Sequence, residues 1–307
     1  MTAFAKLDDW LREPVPVLRI EIMRIGAPLA ILGFMSTRML HAADWIGDAG
    51  FRVPDLGGDW RQPLYVPALP AWAAWALVIV MAASGIACSL GVSTRRSAIV
   101  FAATLAFVAL SDRVSAFTVS KMSPVVVLAI ALSPAGSRLG WDAWRRRLRG
   151  AKPSKRLRRA ESLRFFQLLL VIIYSSSGIA KARGDWLTTP LVLWTQLHDT
   201  YQTAFSFALA QHLPGWSWTV MQGAVLMFEM GAPLWFGWSR ARPFAFPFGL
   251  GMHAMIGVMF GPVLWFALLM MTLLVGGYAP ESWLAPVERL AQFCSAPRMT
   301  RQRKLTS

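Results

Sequence analysis

One lysine is marked as a candidate for acid–base chemistry by the residues beside it. Lys181 follows YSSSGIA (174–180), whose three serines and Gly178 form a small, polar helix face. A neighbouring helix or a ligand can approach such a face closely. Burial there would disfavour the ammonium form and leave an amine that can accept a proton. Two alternatives remain open: the side chain reaches the outer lipid headgroups, or it pairs with Asp185 four residues later.

Two more ionisable residues interrupt apolar segments. Glu229 lies in VLMFEMGAPLWFGW without a cation beside it on the same helix, so its partner comes from another helix or the carboxyl group is protonated. His253 lies in GLGMHAMIGVMF, where a lone histidine is more simply a hydrogen-bonded core residue than a ligand. No metal site is predicted, because the four histidines of the chain show no metal-ligand spacing.

A charged pair lies within the first apolar segment. Glu21 and Arg24 are three residues apart and therefore share a helix face. Each ionisable group in a membrane span costs roughly 2.5–3.5 kcal/mol on insertion scales, so each needs a partner or a role. A structural ion pair is the simplest interpretation of Arg24, and support of a functional site is the other.

The elements that must position these residues are predicted to be membrane-spanning helices. The chain of 307 residues is 55% hydrophobic and only 15% charged, whereas soluble domains are about a quarter charged. We therefore expect an all-α integral membrane protein with about eight transmembrane helices and no large soluble catalytic domain. Proline, glycine and charged residues place the spans at 17–40, 70–91, 97–115, 123–136, 163–182, 216–238, 243–260 and 262–279.

The basic residues give this bundle an orientation. Most of them fall on one side if both termini, 1–16 and 280–307, are cytoplasmic, as the positive-inside rule requires. The loop 137–162 contains RRRLRGAKPSKRLRR, which we interpret as a topology anchor near anionic headgroups. No aromatic or fold motif accompanies this run, so nucleic acid is not an expected partner.

The same sequence patterns predict which segments lie on the outer side of the membrane and where in the cell the protein is found. The outer loop 41–69 is expected to be an ordered cap, and within 183–215 the stretch 186–212 is apolar but broken by polar residues at helical spacing. That pattern favours an interfacial or re-entrant helix. Composition suggests a bacterial source, so the expected location is the inner cell membrane, crossed several times, with membrane lipid as a partner.

Several of these residues together resemble a known family. The run GIAKARGDW (178–186), preceded by Tyr174, resembles the signature of the vitamin K-dependent γ-glutamyl carboxylase membrane domain. Bacterial relatives that share the domain are called horizontally transferred transmembrane domain (HTTM) proteins. The further similarities are Arg24 in EIMRIGAPL, Glu229 followed by Arg240 after the helix, and His253. The order and spacing of these residues agree with the family over 17–278. The expected HTTM-like transmembrane domain is therefore 17–279.

The resemblance implies a specific chemistry. In the carboxylases, the lysine that matches Lys181 deprotonates a reduced naphthoquinone. Oxygen then attacks the deprotonated quinol to give an epoxide. The strong base formed on the way removes a γ-proton from glutamate, and CO₂ adds to the resulting carbanion. The implied cofactor is therefore a reduced quinone of the vitamin K or menaquinone type. The implied catalytic residues are Lys181, Glu229 and His253, and the implied substrate-binding or supporting residues are Arg24, Tyr174, Gly178, Asp185 and Trp186.

Two departures from the carboxylases open a second possibility. The stretch AFTVSK (116–121) lacks their Asn-His pair, and their large lumenal domain has no counterpart. The family also includes small proteins, the sporulation-delaying-protein B type, that mature or export secreted antimicrobial peptides. The expected function is thus a carboxylase- or epoxidase-like enzyme acting on a quinol, a secreted peptide, or both. The alternative is a non-enzymatic maturation, export or immunity factor, partnered by a secreted precursor and a companion maturation protein.

Overall fold

The regular structure of the chain is almost entirely α-helical. A computed structural model describes residues 3–50, 66–111, 117–151, 154–198 and 201–295. Its helices are α1 (Ala3–Arg12), α2 (Leu18–Met39), α3 (Ala42–Ile46), α4 (Ala71–Leu90), α5 (Thr94–Ser111), α6 (Thr118–Leu132), α7 (Trp141–Leu148), α8 (Glu161–Arg183), α9 (Val192–Leu197), α10 (Ala204–His212), α11 (Gly215–Met230), α12 (Ala232–Gly237), α13 (Arg242–Met259), α14 (Leu264–Tyr278) and α15 (Glu281–Ser295). Two short strands, β1 (Pro14–Pro16) and β2 (Leu157–Arg159), pair antiparallel, with Val15 opposite Arg158.

The helices are those of a membrane protein. Within the described ranges, four helical segments are long and apolar enough to cross a bilayer: α4, α5, α8 and Gly261–Tyr278, a 3₁₀ turn continued by α14. Helices also occupy the other segments for which spans were expected, although α6 begins at Thr118, earlier than the expected 123. The protein is therefore an all-α membrane protein.

The segment 216–238 forms two helices rather than one. α11 ends at Met230, and α12 begins at Ala232 after Gly231. Pro233 stands in the first turn of α12, where the missing N–H group would have no helical partner in any case. A Cβ atom at Gly231 would lie 2.4 Å from Nε1 of Trp235, so only glycine fits where the two helices join.

α2 packs at the centre of the bundle through small residues. Its buried positions include Met23, Ala27 and Ile31, which share one face. Close approach to α14 depends on glycine: a Cβ atom at Gly26 would lie 2.6 Å from Thr272, and one at Gly276 would lie 2.5 Å from Met23. Small residues at such crossings bring membrane helices together.

The segments expected outside the membrane differ in part from the prediction. The stretch 186–212 contains two short helices, α9 and α10, instead of one interfacial helix. Leu197 and Trp218 form a small second core with Met259 at the end of α13. Of the expected cap 41–69, residues 51–65 lie outside the described ranges. At its described ends the Asp48 N–H donates to the Leu69 carbonyl oxygen at 2.9 Å.

The segment expected as a basic tail (280–307) begins with helix α15; residues 296–307 lie outside the described ranges. Glu288 of α15 is buried. Its Oε1 accepts hydrogen bonds from Arg138 at 2.7 Å and lies 3.1 Å from Nε of Arg156. These ion pairs attach α15 to the basic segment 137–162.

Candidate functional site

The buried face of α8 brings Lys181 to the site. The buried residues of this helix recur every three or four positions, which is the spacing of one helix face. They are Leu163, Phe166, Leu170, Tyr174 and Gly178. Lys181 follows Gly178 by three residues and continues the same face by one turn. The lysine side chain is therefore directed toward the helices that pack on α8.

Glu229 meets Lys181 from the facing helix. On α11 the buried positions Trp218, Gln222, Leu226 and Glu229 also share one face. A Cβ atom at Gly178 would lie 2.7 Å from the backbone nitrogen of Met230, so glycine is what allows α8 and α11 to touch at this level. The Lys181 Nζ atom donates to Glu229 Oε1 at 2.5 Å and to Ser177 Oγ at 3.2 Å.

The Lys181–Glu229 pair is only partly shielded from the surroundings of the protein. The Lys181 side chain is 24% exposed and the Glu229 side chain 8%. The amine also lies 4.9 Å from the ring centre of Trp186, which stabilises a cation by its π face. Asp185, the alternative partner, accepts hydrogen bonds from the N–H groups of Thr188 and Thr189 through its backbone carbonyl. The structure therefore joins Lys181 to Glu229, 48 residues away in sequence.

A second polar pair lies two helical turns away on α8. The Tyr174 hydroxyl and His253 Nε2 are 2.8 Å apart, and each residue is only 2% exposed. The Tyr174 ring packs against Phe228 at 5.2 Å and Phe236 at 6.0 Å between ring centres. His253 thus has a hydrogen-bonded place in the core, and α13 presents it to the same buried region as α8 and α11.

Three buried polar atoms in this region have unused hydrogen-bonding capacity. Within the described ranges, Glu229 Oε2, His253 Nδ1 and Ser175 Oγ make no hydrogen bond. Leaving one such group unsatisfied costs about 1–3 kcal/mol, and native proteins keep few of them. Two of these three atoms, Glu229 Oε2 and His253 Nδ1, belong to residues that are paired through their other polar atom, with Lys181 and Tyr174 respectively.

An apolar groove adjoins the cluster. It has a volume of about 190 Å³ and is lined by α11, α12 and α13. Phe228, Trp235, Phe244 and Phe248 form much of its surface. Phe228 also touches the Tyr174 ring, so it connects the groove with the Tyr174–His253 pair.

Gln222 is a site residue that the sequence analysis missed. It is buried on α11, two turns before Glu229. Its Nε2 donates to the carbonyl oxygens of Trp186 at 2.7 Å and Thr189 at 2.9 Å, and its Oε1 accepts from the Leu193 N–H at 3.2 Å. Gln222 therefore holds the segment that carries Trp186 over the site. A lone amide on the buried face of an apolar helix was the available signal.

Arg24 lies in a different part of the bundle. Its Nε donates to Glu21 Oε2 at 2.8 Å, and both side chains are almost fully buried. Its Nη1 donates to the carbonyl oxygens of Cys88 at 3.0 Å and Ser89 at 2.5 Å at the end of α4. The Glu21 carboxylate accepts the Gly136 N–H at 3.0 Å. These are the contacts of a structural ion pair, and they do not bring Arg24 to Lys181.

The described residues do not bring three or more His, Cys, Asp or Glu side chains together in a way that could hold a metal ion. The arrangement around Lys181 consists instead of proton donors and acceptors: an amine, a carboxyl group, a phenol, an imidazole and serine hydroxyls. Such groups can transfer or hold protons.

The comparisons with known proteins place the chain in a family. Neither a curated protein nor a solved structure matches it. A family model described as the HTTM domain matches residues 13–283, which include every residue of the site described above. Because this match spans more than half of the 307 residues, the chain belongs to the HTTM domain family.

Proposed function

We propose that the protein is a membrane-embedded enzyme related to the carboxylases and quinol epoxidases, with Lys181 as its base. Its substrate is a reduced quinone, a secreted peptide, or both. One observation carries the proposal: the Lys181 amine is hydrogen-bonded to the buried Glu229 carboxyl group at 2.5 Å, beside buried polar atoms with no partner in the described ranges. HTTM membership is consistent with a carboxylase-related protein.

The Lys181–Glu229 pair accounts for how an amine in this place can act as a base. A buried ion pair has a desolvation penalty for both charges. Transfer of one proton from the ammonium group to Glu229 removes both charges and leaves a neutral amine with a free lone pair. The amine then takes a proton from a substrate O–H or C–H group, and the new ammonium charge lies beside the new anion.

The residues present fit a reduced quinone. Glu229 Oε2 and His253 Nδ1 are buried atoms available to hydroxyl groups, while Tyr174 and Phe228 offer aromatic surfaces. The groove lined by Phe228, Trp235 and Phe248 suits an apolar tail. When bound, the quinol supplies an acidic hydroxyl group and the electrons that reduce oxygen. Tyr174 and His253 would orient it and exclude water.

The test is quinone epoxide formation by purified protein supplied with reduced quinone and oxygen. We expect Lys181→Ala to lower the rate on the order of a hundredfold or more, which is the usual contribution of a general base. Lys121→Ala is the matched control, because Lys121 is an exposed lysine on α6. Equal product from Lys181→Ala and wild type, above a blank without protein, would remove Lys181 from the chemistry.

A second candidate function is supported by the outer segment. In this second candidate function, the protein is a non-enzymatic maturation, export or immunity factor for a secreted antimicrobial peptide, and it acts with a companion maturation protein. The segment around α9 and α10 exposes Leu187, Phe205, Phe207 and Trp216, an apolar surface that a peptide could cover. Under this proposal Lys181→Met leaves the biological activity intact, while exchange of Phe205 and Phe207 for serine abolishes it.

The orientation in the membrane is part of the same proposal. We infer that the bundle crosses the bacterial inner membrane about eight times, with both termini in the cytoplasm. The basic segment 137–162, α7 and α15 then lie on the cytoplasmic side, and α9 and α10 lie on the outer side. Lys181, in the last turn of α8, is near the outer surface in this arrangement.

A further inference from the structure

A polar pocket lies where α5 begins, remote in the fold from the Lys181 site. It has a volume of about 290 Å³. The side chains and backbone that line it include Thr94, Arg95, Arg96, Gly136, Asp142 and Arg146. α4 and α5, which are joined by the turn at this pocket, are both long enough to span a membrane. The pocket is therefore at the level of a membrane surface.

The start of α5 offers hydrogen-bond donors to this pocket. The first N–H groups of an α-helix have no partner within the helix, and the helix dipole makes this end attractive to anions. Here the Ser93 N–H donates to Asp142 and the Arg96 N–H donates to the Ser93 carbonyl oxygen, which leaves the N–H groups of Thr94 and Arg95 for a ligand. A buried hydroxyl group supports the same conclusion independently. Thr94 is 7% exposed and lines the pocket, yet its Oγ1 makes no hydrogen bond within the described ranges.

The walls of the pocket are fixed by specific contacts. Ser93 has a left-handed backbone conformation, with φ of 44°, and its N–H donates to Asp142 Oδ2 at 2.6 Å. Gly136, with φ of 74°, packs so closely on Thr94 that a Cβ atom would lie 2.1 Å from Oγ1. Arg146 Nη2 donates to the Gly136 carbonyl oxygen at 3.1 Å. The strained turn at Ser93 is thus held in place by α7 and by the segment after α6.

The charges of the pocket select an anion. Arg95, Arg96 and Arg146 provide three guanidinium groups against one carboxylate, and that carboxylate already accepts the Ser93 N–H. Arg95 and Arg96 are exposed at the rim. Guanidinium groups bind phosphate oxygens in a bidentate manner, and a helix N-terminus with a hydroxyl group adds further donors.

We propose that this pocket binds a phosphate group, carried by an anionic phospholipid headgroup or present as free phosphate. The phosphate oxygens accept hydrogen bonds from the N–H groups of Thr94 and Arg95 and from Thr94 Oγ1. Arg95 and Arg96 close over it. The site does not depend on the chemistry of Lys181, so the proposal stands or fails independently of the proposed enzyme.

The experiment measures binding to purified full-length protein in detergent micelles. Dioleoylphosphatidylglycerol is titrated by native mass spectrometry, and dioleoylglycerol, which lacks the phosphate group, is titrated in parallel. Inorganic phosphate is added as a competitor and is also tested alone by the shift of the thermal unfolding midpoint. Displacement of the lipid by millimolar phosphate, with a midpoint shift, identifies free phosphate as the ligand; tight lipid binding that phosphate does not displace identifies the headgroup.

Four variants test the residues. We expect Arg95→Gln and Arg96→Gln each to weaken binding about tenfold, and Thr94→Val to weaken it about threefold to tenfold. Thr94→Ser keeps the hydroxyl group and should bind like wild type, which separates loss of the donor from a folding defect. Arg145→Gln is the charge-matched control. It removes one exposed arginine of α7 that does not line the pocket.

The proposal is overturned by any of four results. The first is binding of dioleoylglycerol as tight as that of the phospholipid. The second is an equal loss of affinity in Arg145→Gln and Arg96→Gln, which indicates diffuse attraction to a basic surface. The third is unchanged binding in Thr94→Val. The fourth is that the wild-type protein binds neither phosphatidylglycerol nor inorganic phosphate.

Discussion

Replacing Lys181 by methionine isolates the energetic role of the Lys181–Glu229 pair. The substitution keeps the length of the side chain and removes its charge. Glu229 then loses the amine bonded to Oε1 at 2.5 Å, while Oε2 is already buried without a partner in the described ranges. A buried pair that loses one partner costs about 3–5 kcal/mol. Because the lysine side chain is 24% exposed, we expect the low end, about 3 kcal/mol.

The assay is thermal unfolding of purified protein in detergent micelles, followed by circular dichroism. For a chain of this size, about 3 kcal/mol corresponds to a fall in the unfolding midpoint of roughly 5 °C. The double variant Lys181→Met/Glu229→Leu removes both charges. It should recover most of this loss, because an apolar pair can replace a buried ion pair at little cost. Lys121→Met on α6 serves as the exposed control.

Two results would refute this reasoning. An unchanged midpoint in Lys181→Met would mean that Glu229 does not depend on the amine, either because it is neutral or because water reaches it. A double variant that is less stable than Lys181→Met would mean that the carboxyl group has a further stabilising contact of its own. The second result would direct attention to Glu229 Oε2.

Three other predictions address neighbouring features. Gly178→Ala should lower stability by about 1–3 kcal/mol, because the new methyl group meets the backbone nitrogen of Met230 at 2.7 Å; chemical denaturation measures this. Arg24→Met should lower the free energy of unfolding by about 3–5 kcal/mol, because it leaves the buried Glu21 carboxylate without its cation. The substrate KM should stay within twofold, because Arg24 lies in a different part of the bundle from Lys181. A membrane-impermeant maleimide added to intact cells should label Thr188→Cys and not Lys155→Cys, and the reverse pattern would contradict the proposed orientation.

Hydrophobic patterning predicted most of the helical framework. Each segment expected to span the membrane contains helix, because long apolar runs satisfy their backbone hydrogen bonds within the segment. The pattern did not reveal the break at Gly231. The flanking residues are apolar on both sides, so hydrophobicity alone gives no sign of the break. The mark in the sequence is Pro233, which stands in the first turn of α12 and has no N–H group with which to continue α11.

Some residues of the candidate site were expected from the sequence, but Gln222 was missed, Arg24 lies elsewhere in the bundle, and the side-chain pairs of the site were not foreseen. Glu229 was expected to have a partner on another helix or to be protonated, since its own helix has no cation beside it, and the structure pairs it with Lys181. The pairing itself depends on which helices touch, and Gly178 determines this through three-dimensional contact with α11. The pairing of Tyr174 with His253, 79 residues away, has the same origin.

The position of Glu288 has a consequence for how the protein is made. Its two arginine partners, Arg138 and Arg156, are synthesised well before it, Arg138 by 150 residues. Throughout that interval on the ribosome the nearly buried Arg138 guanidinium group has no carboxylate from α15 to balance it. The contacts of this face with α15 can therefore form only after α15 has been synthesised, so they are late contacts in the assembly of the bundle.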